Sequence, residues 1–165
     1  MAAGVALALF FGLFIYAKTG PPSRLEPATP EVQKPDENGV PAQLLTVKVP
    51  LVSVVGGETQ WSVEDVEIAP GADPVLEAVN GFLQRSKIAP DARLLEIRLR
   101  TGGAELEFRN LFERGYGTDN DSTILEGVLR AVRENSELET VIFWQDGEPA
   151  RTLGNLDVGG PQPVR

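Results

Sequence analysis

The chain of 165 residues contains no histidine and no cysteine. Without an imidazole it cannot build a Ser-His-Asp triad, a histidine metal site or a histidine general base. Without a thiol it cannot form a disulfide, a zinc–thiolate site or a thiolate nucleophile. Carboxylates, lysine, tyrosine, serine and threonine are the side chains left for chemistry. We therefore expect a protein that binds rather than an enzyme, and we expect neither a metal nor a cofactor.

Basic residues are also scarce. Lysine and arginine number 15 against 24 aspartate and glutamate residues, which gives a formal net charge of −9, and no segment is basic. Nucleic-acid binding depends on neutralising phosphates with lysine and arginine. The composition therefore excludes nucleic acid as an expected partner.

The chain begins with an uncharged run over residues 2–17, AAGVALALFFGLFIYA. At about 1.5 Å per helical residue this run reaches roughly 25 Å, slightly less than a hydrocarbon core of about 30 Å. We expect residues 1–19 to form a transmembrane signal anchor, which makes the membrane a partner. A cleaved signal peptide is the alternative, and a buried core helix is a less favoured one.

Residues 20–42 follow as a segment rich in proline. Proline blocks both helix and paired strand, and apolar residues are sparse here. The sequence therefore predicts a semi-extended linker that holds a folded domain away from the membrane. The six prolines of the linker are Pro21, Pro22, Pro27, Pro30, Pro35 and Pro41.

A β-hairpin is predicted over residues 94–109. Apolar and charged residues alternate on both sides of Gly102-Gly103, a pair that tolerates positive φ in a two-residue turn. This turn fixes a register that brings together two apolar pairs and three pairs of opposite charge, and a slip by one residue would destroy both sets. The predicted pairs are Leu99–Leu106, Ile97–Phe108, Arg100–Glu105, Arg98–Glu107 and Glu96–Arg109.

Two helices are expected. The first begins with Asp73 as its cap and Pro74 in the first position, and it ends near residues 85–87. The second is expected to start at a capping box formed by Thr123 and Glu126. Each carries an apolar stripe at helical spacing. The stripes are Val75, Leu76, Val79, Phe82 and Leu83 in the first helix, and Ile124, Leu125, Val128, Leu129 and Val132 in the second.

Three further strands and a short return segment complete the predicted domain. Residues 44–55 form an edge strand or two short ones, because Pro50 interrupts their β-pattern. Residues 61–68 form a second strand, and residues 140–144 form an interior one that ends at an Asp146-Gly147 turn. A short return through residues 150–153 follows. Residues 43–165 are therefore expected to be one α+β domain, with two helices on one face of a mainly antiparallel sheet.

Four segments of this domain resemble the GerMN domain of bacterial envelope proteins. They are residues 91–95 (DARLL), 104–108 (AELEF), 112–117 (FERGYG) and 141–149 (VIFWQDGEP). The resemblance extends over residues 43–165. The N-terminal segment lacks the cysteine that carries the lipid of a lipoprotein, so the apolar helix itself is expected to be the anchor.

The resemblance implies a location outside the cytoplasm. Lys18 and Arg24 follow the apolar run, and the positive-inside rule alone would place the domain in the cytoplasm. We let the resemblance override these two charges and expect a single-pass protein of the cell membrane. It further implies a non-catalytic role in envelope assembly, as in sporulation and germination proteins. An envelope protein, a second copy or peptidoglycan would be the partner.

The loop over residues 114–121 is the best candidate for a binding site. Gly115 and Gly117 let the backbone approach a partner, Tyr116 offers an amphipathic surface, and Arg114 can pair with a carboxylate. The alternative is a structural connection whose glycines form turns and in which Asp119 or Asp121 caps the second helix, since Asp and Gly are ordinary turn residues. With one aromatic residue from the interior strand, the candidate binding residues are Arg114, Tyr116, Thr118, Asp119, Asp121 and Trp144.

The same region allows two other interpretations. The spacing of Asp119, Asp121 and Thr123 suggests a calcium loop, but its sixth position is Ile124 and its twelfth is Arg130, so the motif fails. A cell-wall glycan is the second possibility. Trp61 and Trp144 would then form a stacking platform, with packing of both rings as the alternative. Weak hydrolysis would use the carboxylates of Glu113, Asp119 and Asp121.

Overall fold

The computed structural model of the protein describes residues 44–164. The predicted transmembrane segment (1–19) and the predicted linker (20–42) lie outside the described residues. Among the residues that are described, no helix combines the length and the apolar character needed to cross a membrane. The described residues include all of the predicted domain except positions 43 and 165.

The described residues form an α+β domain, as predicted. Its two helices are α1 (Pro74–Ser86) and α2 (Thr118–Asn135). Its strands are β1 (Leu45–Val55), β2 (Glu58–Ile68), β3 (Arg93–Arg100), β4 (Gly103–Arg109), β5 (Thr140–Gln145), β6 (Glu148–Pro149), β7 (Thr152–Leu153), β8 (Leu156–Asp157) and β9 (Gln162–Pro163).

Strands β1 and β2 form a separate antiparallel ribbon. Gly56 and Gly57 join the two strands with φ of 63° and 89°, a conformation that glycine adopts without strain. β1 is a single strand of 11 residues rather than two short ones, because Pro50 fits opposite Val63 without interrupting the pairing.

Helix α1 begins and ends as its sequence predicts. The Asp73 carboxylate accepts hydrogen bonds from the N–H groups of Val75 (2.9 Å) and Leu76 (3.0 Å), which satisfies two donors at the start of the helix. Lys87 ends the helix in the left-handed conformation, with φ of 57°. Phe82, at the centre of the predicted stripe, is fully buried.

The central sheet is mixed rather than purely antiparallel. β4 pairs with β3 antiparallel and with β5 parallel, and β5 also pairs with β6 and β9. The parallel pair follows from α2, which crosses from β4 to β5. The prediction of two helices on one face of one sheet is too simple. The helices pack against each other, both contact β1 of the ribbon, and α1 also contacts β3.

The β3–β4 hairpin is confirmed, but its predicted register is wrong by two residues. Leu99 lies opposite Ala104 rather than Leu106, and Ile97 lies opposite Leu106. Gly103 explains the shift, because a Cβ there would lie 2.5 Å from the carbonyl oxygen of Thr140 on β5. Gly103 is thus part of β4, and the turn moves back to residues 101–102. Where the register is regular, from Glu96 to Arg100, a shift of two keeps each side chain on its predicted face.

The shift also changes the charge pairs of this hairpin. Two predicted ion pairs form as diagonal contacts, Arg100–Glu105 at 2.9 Å and Arg98–Glu107 at 3.1 Å. The third does not form in the predicted register, because a bulge after Leu94 places Arg109 opposite Arg93.

Helix α2 starts five residues before its predicted capping box. Gly117 precedes it with φ of 97°, and the helix has no side-chain cap, so the alternative of a cap by Asp119 or Asp121 is also wrong because both lie inside the first turn. Thr123 lies inside the helix, where its hydroxyl donates a hydrogen bond to the carbonyl of Asp119 (2.8 Å). The capping box is therefore wrong, although the predicted stripe is right in its most buried members, Ile124, Val128 and Val132.

Strand β5 is the interior strand that was predicted, and the turn at residues 146–147 is confirmed by φ of 55° and 82°. The return strand is β6 at Glu148–Pro149, earlier than the predicted residues 150–153, and it pairs with the end of β5. The chain then leaves the sheet, since Leu153 pairs with Leu156 of β8. Phe143 of β5 packs against Phe108 and Phe112, with ring centroids 6.0 and 5.1 Å away, and this aromatic cluster supports the loop that follows β4.

Candidate functional site

The loop between β4 and α2 is fixed by chain segments distant in sequence. The side-chain oxygen of Gln145, at the end of β5, accepts hydrogen bonds from the N–H groups of Leu111 and Phe112, both at 2.8 Å. Farther along the loop, the carbonyl of Arg114 accepts a hydrogen bond from the N–H of Gly154 (3.0 Å). The loop therefore presents a defined surface.

Arg114 and Tyr116 lie together on this loop, as the candidate site requires. The Arg114 Nε donates a hydrogen bond to the Tyr116 hydroxyl (2.9 Å), and its Nη2 donates to the carbonyl of Asn110 (2.6 Å). The Tyr116 hydroxyl in turn donates to the same carbonyl (3.0 Å). Both polar groups thus have a structural role, which supports the alternative that the loop is a structural connection.

Asp121 has an internal role as well. It is 1% exposed, and its Oδ1 accepts a hydrogen bond from the backbone N–H of Tyr116 (2.7 Å). Its carboxylate packs so closely on Gly154 that no Cβ would fit there. Asp121 therefore joins the start of α2 to the loop and to the C-terminal segment.

An open depression of about 410 Å³ lies beside these contacts. Three of the predicted site residues line it, namely Arg114, Thr118 and Asp121. The sequence prediction missed its opposite wall, because residues some 30 to 40 positions later in the chain cannot be placed there from local spacing. The full lining is Glu113, Arg114, Gly115, Gly117, Thr118, Asp121, Thr152, Gly154 and Asn155.

Asp119 faces a different depression, between the ribbon and α2. This second depression has a volume of about 570 Å³, and its ribbon side was also missed by the sequence prediction. Trp61 lies at its edge, where its ring packs 6.0 Å from Phe82 and 4.9 Å from the guanidinium of Arg130. These contacts agree with the packing interpretation of Trp61. The lining is Val54, Gly57, Thr59, Trp61, Asp119, Asn120, Ser122, Thr123 and Glu126.

Trp144 lies on the outer face of the central sheet rather than beside the loop. The guanidinium carbon of Arg98 is 5.7 Å from the centroid of its ring, a cation–π geometry. Its indole N–H is buried and has no hydrogen-bond partner within residues 44–164. The ring is half-buried, which leaves it less surface for stacking on a sugar.

The same face of the sheet carries a network of ion pairs. Arg98 contacts Glu96 (3.1 Å), Glu105 (3.5 Å) and Glu107 (3.1 Å), and Arg100 contacts Glu105 (2.9 Å). The hydrogen bond to Glu96 raises the pKa of Arg98, and the hydrogen bond from Arg100 lowers the pKa of Glu105. The network contains two arginines and three glutamates, and each of these side chains has at least one ion-pair partner, which makes the face a stabilised surface rather than a reactive one.

The six predicted site residues thus fall into three places: the loop with its depression, the second depression, and the outer face of the sheet. Their role in binding stays a prediction. No group of three or more aspartate and glutamate residues in the described part of the chain is arranged to hold a metal ion.

The fold is that of a small α+β domain with a two-stranded ribbon, two packed helices and a mixed sheet. It is GerMN-like, since it is similar to the tandem GerMN domains of the sporulation protein GerM from Bacillus subtilis. The TM-score is 0.54 at 12% identity, and the alignment covers 77% of this chain and 51% of that one.

A second solved structure, of a Clostridium perfringens protein described as a lipoprotein, aligns with a TM-score of 0.47 and 12% identity. That alignment covers 73% of this chain and 87% of the other. No protein-family model matches the sequence, and no curated protein matches it either.

Proposed function

We propose that the protein is a membrane-anchored binding and assembly module of the bacterial cell envelope, with its folded domain outside the cytoplasm, and that it is not an enzyme. The GerMN-like fold carries this proposal, because the similar domains belong to a sporulation protein. The apolar run at residues 2–17 and the proline-rich residues 20–42 support the anchored arrangement.

The geometry of the loop supports a binding role over catalysis. Asp121 is 1% exposed and its Oδ1 accepts a backbone hydrogen bond, so it is poorly placed to exchange a proton with a substrate. Tyr116 and Arg114 hydrogen-bond to each other and to the loop backbone. A surface built in this way offers a fixed shape to a partner, and self-assembly or an envelope protein would use that shape.

Protease protection of the full chain in its native membrane tests the location. We expect protease added outside the cytoplasmic membrane to degrade a reporter fused after Arg165. Cross-linking in the same membranes is expected to trap an envelope protein or a second copy. A reporter located in the cytoplasm, or substrate turnover at an enzyme-like rate by the purified chain, would overturn the proposal.

A cell-wall glycan is the second candidate ligand. The depression of about 410 Å³ favours it, because polar residues such as Thr118 and Asn155 line an open surface where sugar hydroxyls can form hydrogen bonds. Soluble peptidoglycan fragments titrated into the full chain separate the two candidates. Saturable binding that is lost in Asn155→Ala and kept in Asp119→Ala, which lies in the other depression, would identify the glycan as the ligand.

A further inference from the structure

The two outer edges of the β1–β2 ribbon differ. On the β1 edge, the N–H of Lys48 donates a hydrogen bond to the side-chain oxygen of Asn135 (2.9 Å), and the side-chain nitrogen of Asn135 donates to the carbonyl of Lys48 (2.8 Å). Two positions farther along this edge, Pro50 has no N–H that could donate a hydrogen bond to an added strand. The β1 edge is therefore closed to a further strand at both positions.

These contacts also show which backbone groups of β2 point outward. Because both backbone groups of Lys48 are directed at Asn135, Lys48 and Asp65 opposite it form a pair that is not hydrogen-bonded. Two residues farther along, Pro50 and Val63 form another pair of this kind. Pro50 fits this position because it has no N–H to donate to β2. Alternate residues of β2 therefore direct their backbone groups away from β1: Thr59, Trp61, Val63, Asp65 and Glu67.

The β2 edge lacks the proline, the bulge and the lysine that often protect an edge strand from pairing, and its only charged side chains are acidic. Among residues 44–164, β2 pairs with β1 alone, and its outward N–H groups donate and its outward C=O groups accept no hydrogen bond within the described chain. The strand is 11 residues long, keeps a regular register, and contains no proline, lysine or arginine. Edges that must avoid pairing carry prolines, bulges or lysines.

The edge is also acidic. β2 carries four carboxylates, and one of them, Glu64, forms an ion pair with Arg85 of α1 (3.1 Å). The others, Glu58, Asp65 and Glu67, have no ion-pair partner in the part of the chain that the structure describes. Two such edges facing each other would repel, and a strand that carries positive charge would be attracted.

We propose that the free edge of β2 binds an extended, lysine- or arginine-rich segment of a partner protein, which adds to the ribbon as a third strand. Main-chain hydrogen bonds would provide affinity, and cross-strand ion pairs with Asp65 and Glu67 would select the basic partner. The β3 edge of a second copy is a poorer partner, since Arg98 and Arg100 already pair with glutamates of their own sheet. This inference specifies the chemistry of the partner in the proposed binding role, and it rests on that role.

Amide hydrogen exchange on the full chain, kept in a nonionic detergent, tests the pairing residue by residue. The probe is a synthetic peptide of alternating lysine and threonine. Bound as a strand, it is expected to slow exchange at the outward N–H groups, Thr59, Trp61, Val63, Asp65 and Glu67. The intervening amides, which already face β1, are expected to keep their rates. Protection confined to another surface, or no binding at all, would overturn the proposal.

Charge reversal at the edge provides the matched comparison. We expect the double variant Asp65→Lys, Glu67→Lys to weaken binding of the peptide by about tenfold, because two cross-strand attractions become repulsions. The control, Asp91→Lys with Glu148→Lys, changes net charge equally at two exposed positions outside β2. An equal loss in both double variants would mean non-specific attraction to an acidic protein and would refute strand addition.

Val63→Pro tests the backbone contribution. This substitution removes one outward N–H and mirrors Pro50 on the opposite strand, so the ribbon is expected to keep its own pairing. It should weaken peptide binding, and circular dichroism would report whether the fold is intact.

Failure of the peptide experiments would overturn the strand-addition proposal alone, whereas the envelope role is decided by the protease and cross-linking experiments. Concentration-dependent protection of β2 without peptide would instead indicate a second copy and also contradict the basic partner.

Discussion

Gly127 of α2 lies directly against the ring of Phe82 of α1, with no room for a methyl group between them. Phe82 is fully buried and also packs on Trp61 of β2, so the ring cannot move aside freely. A glycine inside a helix costs about 1 kcal/mol relative to alanine. The close approach of the two helices explains why glycine is nevertheless found here.

The substitution Gly127→Ala should therefore destabilise the protein although alanine is the better helix former. We expect a decrease of about 1–3 kcal/mol in the free energy of unfolding, the usual cost of forcing extra volume into a packed core. Urea denaturation followed by circular dichroism measures it. Gly160→Ala is the control, because nothing lies within 4 Å of the added Cβ, and its effect should stay within about 0.5 kcal/mol. An unchanged or higher stability of Gly127→Ala would contradict this account.

Local patterns predicted those elements whose signals lie within the element itself. The start of α1 was predictable because Asp73 and Pro74 are adjacent to the residues they stabilise. The β3–β4 hairpin was predictable from alternation, but its register depends on the contact between Gly103 and Thr140, which are far apart in sequence.

In the candidate site, too, only features within one segment of the chain were predictable. The sequence of the loop predicted one wall of the depression, because its glycines and Tyr116 are visible as a motif. The opposite wall comes from Thr152 to Asn155, and only the folded chain brings these residues to the loop. The internal hydrogen bond of Asp121 was equally unpredictable, because it depends on α2 starting earlier than its capping pattern suggests.

Gln145 should be essential for the position of the loop. In Gln145→Met the N–H groups of Leu111 and Phe112 lose their acceptor, and an unsatisfied buried donor costs about 1–3 kcal/mol. We expect lower stability and faster amide exchange at both residues. Gln145→Glu keeps an acceptor at the same place, so exchange at these amides should remain slow. Equal exchange in the two variants would show that the side chain does not hold the loop.

Asp121 should stabilise the loop through its bond to the Tyr116 N–H. Asp121→Ala removes the acceptor and is expected to lower the free energy of unfolding by about 1–3 kcal/mol. Asp121→Asn retains an oxygen acceptor and should lose less. Urea denaturation of the two variants gives the comparison, and a larger loss in Asp121→Asn than in Asp121→Ala would contradict the proposed role of the oxygen.

The ion pairs on the outer face of the sheet should make the free energy of unfolding depend on pH. Both oxygens of Glu105 accept hydrogen bonds from Arg100, at 3.0 and 2.9 Å, and this lowers the pKa of Glu105 below its usual value of 4.5. A carboxylate whose pKa is lower in the folded than in the unfolded protein stabilises the fold fully above the unfolded pKa. That contribution is lost as the pH falls through the lower, folded pKa.

Glu105→Gln should consequently reduce stability at neutral pH and have a progressively smaller effect as the pH falls below about 4.5. Urea midpoints measured at low ionic strength across this range test the prediction, since salt weakens exposed ion pairs. Glu148→Gln is the matched control, because Glu148 is exposed and forms no ion pair within the described residues. A difference in urea midpoint between the native protein and Glu105→Gln that stayed constant with pH would contradict this prediction. It would mean that the hydrogen bonds from Arg100 do not depend on the charge of Glu105.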